Sequence, residues 1–147
     1  MIYSNGEKYR GEFKNDEKDG YGIYQYLDGE IYKGDFKNGV KEGRGVYFYN
    51  NGEYYSGDFK NNKKDGFGIY FEKEGNRYIG EYKNDIRDGF GIYKFNFNEK
   101  DDVQEIYLGN YQNNKKEGEG MYLKIYKNIK RIKRKNPKNI MRIIKWL

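Results

Sequence analysis

Residues 9–24 read Tyr-Arg-Gly-Glu-Phe-Lys-Asn-Asp-Glu-Lys-Asp-Gly-Tyr-Gly-Ile-Tyr, and this stretch decides the fold. Tyr9, Gly11 and Phe13 alternate, as do Gly20, Gly22 and Tyr24, so each trio shares one face of an extended element. The polar run Lys14-Asn15-Asp16-Glu17-Lys18-Asp19 between them reads as a connection, and the whole predicts a β-hairpin. After the second strand, Asp28-Gly29 here and Asn51-Gly52 further on supply the positive φ that a tight turn needs.

The same hairpin recurs along the chain. Tyr9, Tyr32, Tyr55 and Tyr78 fall 23 residues apart and Tyr107 follows after 29. Gly11, Gly34, Gly57, Gly80 and Gly109 keep the same step, as do Phe13, Phe36, Phe59, Tyr82 and Tyr111. Gly-x-Gly pairs start at Gly20, Gly43, Gly66, Gly89 and Gly118, and Tyr24, Tyr47, Tyr70, Tyr93 and Tyr122 close each copy. Of the 20 glycines, only Gly39 lies outside the repeated sites. A fixed period of this kind marks a repeat architecture.

Glycine weakens a strand unless another group must come close to its backbone. The aromatic residues of the partner strand are that group, which predicts rings lying over bare glycines. The other face is mixed, with Ile23, Val46, Ile69, Ile92 and Met121 among polar residues. The expected fold is all-β: an elongated, twisted antiparallel sheet of five hairpins that coils and packs partly on itself.

Composition narrows the chemistry. The 147 residues hold 29 Lys+Arg against 23 Asp+Glu, a net charge of +6, with no His, no Cys and no Ala. Imidazole and thiolate catalysis, His/Cys zinc sites and disulfides are therefore excluded. Mean hydropathy is −1.24, yet 18 Tyr and 9 Phe are far more than a disordered chain carries. No apolar run is long enough to span a bilayer, and the start MIYSNGEKYR lacks the plan of a secretory signal. A cytoplasmic setting is expected.

At Tyr-x-Gly-x-aromatic, Gly-x-Gly and the Asp-Gly or Asn-Gly turn, the sequence resembles the MORN repeat family, over Met1 to Tyr122. The units fall near 9–31, 32–54, 55–77, 78–106 and 107–122, with a partial unit at 1–8. Where such families commonly place Trp at the third aromatic position, this chain has Phe or Tyr. Met1-Ile2-Tyr3 align with the end of a second strand and Gly6 with a turn glycine, so the chain opens partway through a unit. Between Lys94 and Ile106 the fourth turn is enlarged to 13 residues, against 7 from Phe71 to Arg77. This insertion is acidic (Glu99, Asp101, Asp102, Glu105) and reads as a solvated loop, or else as a partner-binding tip.

Beyond Tyr122 the composition changes: Leu123 to Leu147 hold ten Lys/Arg and no Asp, Glu or Gly. Tyr122, Ile125, Tyr126 and Ile129 are spaced as on a helix, and so are Ile140, Ile143, Ile144 and Leu147, which predicts two short amphipathic helices parted at Asn136-Pro137. One reading makes this tail a cap on the last hairpin. Another sets Lys130, Arg131, Lys133, Arg134, Lys135, Arg142 and Lys145 on an anionic membrane surface. Calmodulin-type capture and nuclear import are further readings of the same cluster.

Two sets of acids recur with the repeat: Glu12, Asp35, Asp58 and Glu81, and Asp19, Glu42, Asp65, Asp88 and Glu117. A catalytic pair is singular, so this repetition points to structure. The Gly-x-Gly pairs run into strand, without the following helix that a phosphate loop requires. No catalytic residue, metal or cofactor is therefore expected. Taking the tail's ten charges from the 29 leaves 19 basic against 23 acidic residues, a net −4 for the repeat body, which repels nucleic acid.

The resulting expectation is a non-enzymatic scaffold that holds a partner protein in an aromatic groove and can self-associate through its sheet edges. What the resemblance implies is assembly at cytoskeletal, ciliary or membrane-associated structures, with phospholipid association in some members. Related repeats also accompany lipid-kinase and methyltransferase domains, so a regulatory fragment of such a protein is an alternative.

Overall fold

The computed structural model describes residues 1–97, 99–100 and 103–126. Ten strands follow one another as β1 (Lys8–Lys14), β2 (Glu17–Gln25), β3 (Ile31–Lys37), β4 (Val40–Phe48) and β5 (Tyr54–Lys60), then β6 (Lys63–Phe71), β7 (Arg77–Lys83), β8 (Ile86–Lys94), β9 (Val103–Gln112) and β10 (Lys115–Tyr126). They form one antiparallel sheet in strictly sequential order, β1 to β10. The expected hairpin repeat and all-β class are both present. The sheet does not fold back to pack on itself: the substantial contacts of each strand are with its neighbours in sequence. Its core is a layer of side chains on one face, made of Tyr9, Tyr32, Tyr55, Tyr78 and Tyr107 with Phe36, Phe59, Tyr82 and Tyr111. Rings are wide enough to bury one another without a second layer. Tyr32, Tyr55 and Tyr78 have no exposed surface.

The glycine pairs explain this. Gly11 and Gly22 face each other across β1 and β2, as do Gly34 and Gly45, Gly57 and Gly68, and Gly80 and Gly91. The Tyr9 ring lies flat on its pair, so that a Cβ built on Gly22 would stand 2.6 Å from Tyr9 Cζ. Phe13 and Phe36 then meet the Tyr9 ring edge-on from either side, at 5.0 and 5.2 Å between centroids. Phe36 meets Tyr32 in the same way and Tyr32 meets Phe59, so a zigzag of edge-to-face contacts links the units as far as Tyr111.

The first glycine of each Gly-x-Gly has a different task from the one expected of it. Between Gly11 and Phe13 the register advances two residues on β1 but four on β2, from Gly22 to Lys18. Gly20 sits in this bulge at φ 93°, and Gly43, Gly66 and Gly89 sit likewise at 98°, 112° and 109°. The bulge leaves backbone groups unpaired, and local side chains take them up. The Tyr9 hydroxyl donates to the Glu12 carbonyl (2.9 Å), and Glu12 Oε1 accepts the Tyr21 N–H (2.9 Å). Tyr32, Asp35 and Arg44 repeat the arrangement, as do Tyr55, Asp58 and Phe67, and Tyr78, Glu81 and Phe90. Of the second acid set, Asp19, Glu42 and Asp65 accept the N–H groups of Asn38, Asn61 and Asn84 in the next hairpin turn.

Two expectations need correction. The six-residue polar connection is a two-residue turn, Asn15-Asp16, with φ of 50° and 62° at its two positions. Such a turn matches the twist of the strands it joins, so the ladder runs on to Glu17 and Lys18. The first predicted tail helix also does not begin at Tyr122, because Tyr122 to Tyr126 belong to β10, and the strand runs through the boundary expected there. Part of the enlarged fourth turn is the cause. Val103 to Ile106 form a strand extension that pairs with Tyr126 to Leu123, and Glu105 meets the Lys124 ammonium at 2.5 Å. Hydrogen bonding to this template outweighs the helical spacing. The second predicted helix and all seven candidate lipid-contact residues, Lys130 to Lys145, lie outside the described residues, as do Asp101 and Asp102.

Substitution at two glycines separates the two roles. Gly68→Ala drives a methyl into the Tyr55 ring and is expected to cost about 3 kcal/mol. Gly29→Ala, with nothing within 4 Å but φ at 89°, is expected to cost only about 1 kcal/mol. Urea denaturation of both variants measures the difference.

Candidate interaction surface

Tyr9, Tyr32, Tyr55 and Tyr78, whose hydroxyls donate to backbone carbonyls, and the rings between them are core. The accessible part of the aromatic face is therefore the next row out. Tyr24, Tyr47, Tyr70 and Tyr93 pack half-buried against the core, joined by Tyr3, Tyr26, Tyr49 and Phe95. Each hydroxyl of the first four is held by a carboxylate: Tyr24 donates to Glu7 (2.6 Å), Tyr47 to Glu30 (2.5 Å), Tyr70 to Glu53 (2.6 Å) and Tyr93 to Glu72 (2.5 Å). The donated hydrogen bond lowers the Glu7 and Glu53 carboxyls below their ordinary range.

A row of cations on the same face was not found from the sequence. Lys18 lies 4.5 Å from the Tyr24 ring centroid, Lys41 4.6 Å from Tyr47, Lys64 5.2 Å from Tyr70, Arg87 4.7 Å from Tyr78 and Lys116 4.1 Å from Tyr107. Lys41 and Lys64 also donate to the Tyr26 and Tyr49 hydroxyls, both at 3.2 Å. Burial lowers the pKa of Lys18, Lys41 and Lys64. A signal was available, since Lys or Arg stands four residues before the second glycine of the pair in every copy, from Lys18 to Lys116. The two-residue turn is what places this position in a strand, where it shares the face of Gly22 and Tyr24.

Where the third copy meets the fourth, several positions that come together in space depart from the pattern. Glu72 stands where the earlier units have Tyr26 and Tyr49, Arg87 where they have Lys41 and Lys64, and Asn76 where they have Glu30 and Glu53. Arg87 pairs with Glu72 at 3.3 Å, and Asn76 Nδ2 donates to Glu72 at 3.0 Å, so one carboxylate serves Tyr93, Arg87 and Asn76 together. A cleft of about 320 Å³ lies beside Glu72 and Arg87, lined among others by Glu53, Lys64, Tyr70, Tyr82 and Asp85. In a repeat protein, coincident departures of this kind are where one unit gains an identity of its own.

The MORN repeat family profile matches residues 9–31, 32–54, 55–75, 78–96 and 107–124. These spans cover all five hairpins. No curated protein matches the sequence.

Two measurements follow from this geometry. Glu72→Tyr alone strands the Arg87 charge and is expected to destabilise by about 1–2 kcal/mol, whereas Glu72→Tyr with Asn76→Glu and Arg87→Lys recovers most of the loss; thermal melts of the single and triple variants check the coupling. Burial pushes the Tyr26 and Tyr49 hydroxyls up to about 12, and burial with the Glu30 and Glu53 hydrogen bonds raises Tyr47 and Tyr70 further. Unfolded tyrosine ionises near pH ~10, so between about 10 and 12 the native state holds more protons than the unfolded one. Stability is therefore expected to fall as pH rises through this window, with tyrosinate absorbance appearing together with loss of the β-sheet circular dichroism.

Proposed function

The chain belongs to the MORN repeat family, and on that premise we propose that it is a non-enzymatic interaction scaffold whose repeat sheet holds a partner protein. The observation that carries this reading is the outer strip of the aromatic face, where the Tyr–Glu pairs and ring-held cations recur from unit to unit. These groups are held in place by hydrogen bonds and ring contacts before any partner arrives, so binding loses little side-chain entropy. Aromatic bodies with polar tips suit protein recognition. The cleft beside Glu72 and Arg87 gives the strip one singular point, at which a partner's register along an otherwise repetitive surface can be set. A cytoskeletal, ciliary or membrane-associated setting in the cytoplasm is the environment we propose for it.

A second reading, a peripheral adaptor on anionic membrane, is favoured by one feature of the sequence: nine Lys/Arg and no acid after Tyr126. Affinity capture and vesicle sedimentation distinguish the two. With the full chain as bait, Glu30→Lys and Glu53→Lys together are expected to abolish capture of a specific partner while leaving sedimentation with phosphatidylserine vesicles intact. Capture that survives this reversal, and is lost instead when Lys130, Arg131, Lys133 and Arg134 become Glu, would overturn the scaffold reading in favour of the tail.

A further inference from the structure

The sheet ends at β10 with half of a junction. Between one hairpin and the next, a Gly-x-Gly-x-Tyr strand pairs with a Tyr-x-Gly-x-aromatic strand in one register: Gly20 opposite Phe36, Gly22 opposite Gly34 and Tyr24 opposite Tyr32. The junctions β4–β5, β6–β7 and β8–β9 repeat it position for position. β10 carries the first half, Gly118, Gly120 and Tyr122, and among the described residues no strand lies beyond it. Tyr122 is accordingly 61 % exposed, where Tyr24, Tyr47, Tyr70 and Tyr93 are half-buried. Tyr9, Tyr32, Tyr55 and Tyr78 each meet the edge of a ring in the following hairpin, whereas Tyr107 meets Tyr111 of its own strand and, among the described residues, no ring beyond β10. The hydrogen-bonding groups of the junction are left over as well. Lys41, Lys64 and Arg87 each accept at their carbonyl the N–H of the second turn residue in the next hairpin, and each donates its own N–H to that residue's side chain, Asn62, Asp85 or Asn114. Lys116 is the next in this series. Glu117 likewise follows Asp19, Glu42 and Asp65, which accept the N–H of the first turn residue. Among the described residues neither has a following turn to meet.

We propose, on the reading that the sheet holds a protein partner, that the outer edge of β10 receives a strand of another protein, one that reads Tyr-x-Gly-x-aromatic and runs into a two-residue turn with Asn or Asp at its second position. An unpaired edge supplies main-chain hydrogen bonds, and the side chains along it choose among partners. Here the choice falls on the aromatic residue and the turn. Opposite Gly118, a ring stands where Phe36 stands against Tyr9 and covers Tyr107 edge-on. Three residues later the Asn or Asp side chain takes the Lys116 N–H, as Asn62 takes that of Lys41. Strands of this kind within the chain are engaged: β3, β5, β7 and β9 are flanked on both sides, and Tyr9 of β1 exchanges hydrogen bonds with Met1. Residues 127–147 contain no glycine, tyrosine or phenylalanine and so cannot supply the motif. The occupant is therefore a strand from a different chain.

The peptide Tyr-Tyr-Ser-Gly-Asp-Phe-Lys-Asn-Asn, the sequence of residues 54–62 with blocked ends, carries the whole motif and is the probe. Added to the isotope-labelled full chain, it is expected to slow hydrogen exchange at the Gly120 and Tyr122 N–H groups at least about tenfold, and to leave Met121, which pairs with Leu108 of β9, unchanged. Residues in step with Tyr9 turn their N–H toward the preceding strand, as Tyr9 does toward Met1. Methylation of the peptide nitrogen of Gly57 is therefore expected to weaken binding about tenfold, while methylation at Ser56 leaves it within about twofold. Glu30→Lys with Glu53→Lys in the full chain is expected to leave the peptide's affinity unchanged, so failure at the aromatic strip and failure at the edge are told apart. Equal binding of the two methylated peptides, or unaltered exchange at Gly120 and Tyr122 with peptide at millimolar concentration, would overturn the proposal. So would slow exchange at these two amides without peptide: protection that grows with protein concentration assigns the edge to a second copy, and protection independent of it assigns the edge to the chain itself.

Discussion

Everything in this sheet depends on one contact, a tyrosine ring lying flat on a pair of facing glycines. A single-layer sheet has no second layer to exclude water, so its core must be built from side chains broad enough to shield one another. That requires the first ring to lie close to the backbone, and only glycine leaves the space. With the ring flat, its hydroxyl reaches the carbonyl that the adjacent bulge leaves unpaired, and the neighbouring acid takes the bulge N–H. Tyrosine, glycine pair, bulge glycine and acid therefore form one closed unit of packing and hydrogen bonding. This explains why glycines that would weaken an ordinary strand are retained in copy after copy.

The rest of the aromatic face is arranged outward from that contact. Phenylalanine or tyrosine edges close the gaps between successive flat rings, a second tyrosine ladder shields them, and cations cover the ring faces. A lysine with its ammonium against rings and phenol oxygens gives up some hydration and recovers part of it as cation–π attraction. Where the third unit puts Glu72 in place of a ring, the cation of the next unit is Arg87, which pairs with a carboxylate better than lysine does. The exchange keeps the charge balance of the strip but changes its shape. Regularity builds the sheet, and local exceptions to it differentiate the surface.

Much of this was legible in the order of residues. The 23-residue step, the alternation of Tyr9, Gly11 and Phe13, and the need for glycine under a ring are consequences of strand geometry, which has a period of two wherever it occurs. The bulge was not legible, because Gly20 and Gly22 look alike in a sequence and only register shows that one adopts positive φ while the other lies beneath Tyr9. The cation row was hidden for a related reason. Lys18 lies in a run that is polar throughout, and a run of that kind reads as loop until the turn is known to take just two residues. At the C-terminus the helical spacing from Tyr122 was real, but Val103 to Ile106 offered backbone partners, and a paired strand edge prevails over a weak local preference.

By itself, then, the sequence determined the repeat, the strand class and the identity of the core residues, because periodicity and residue size are local properties that survive without coordinates. Only the tertiary structure decided which face each half-exposed side chain joins and how Glu72, Asn76 and Arg87 meet. Those are matters of register between neighbouring strands. Register is set by turn length and bulges, and a shift of one residue would send every one of these side chains to the other face.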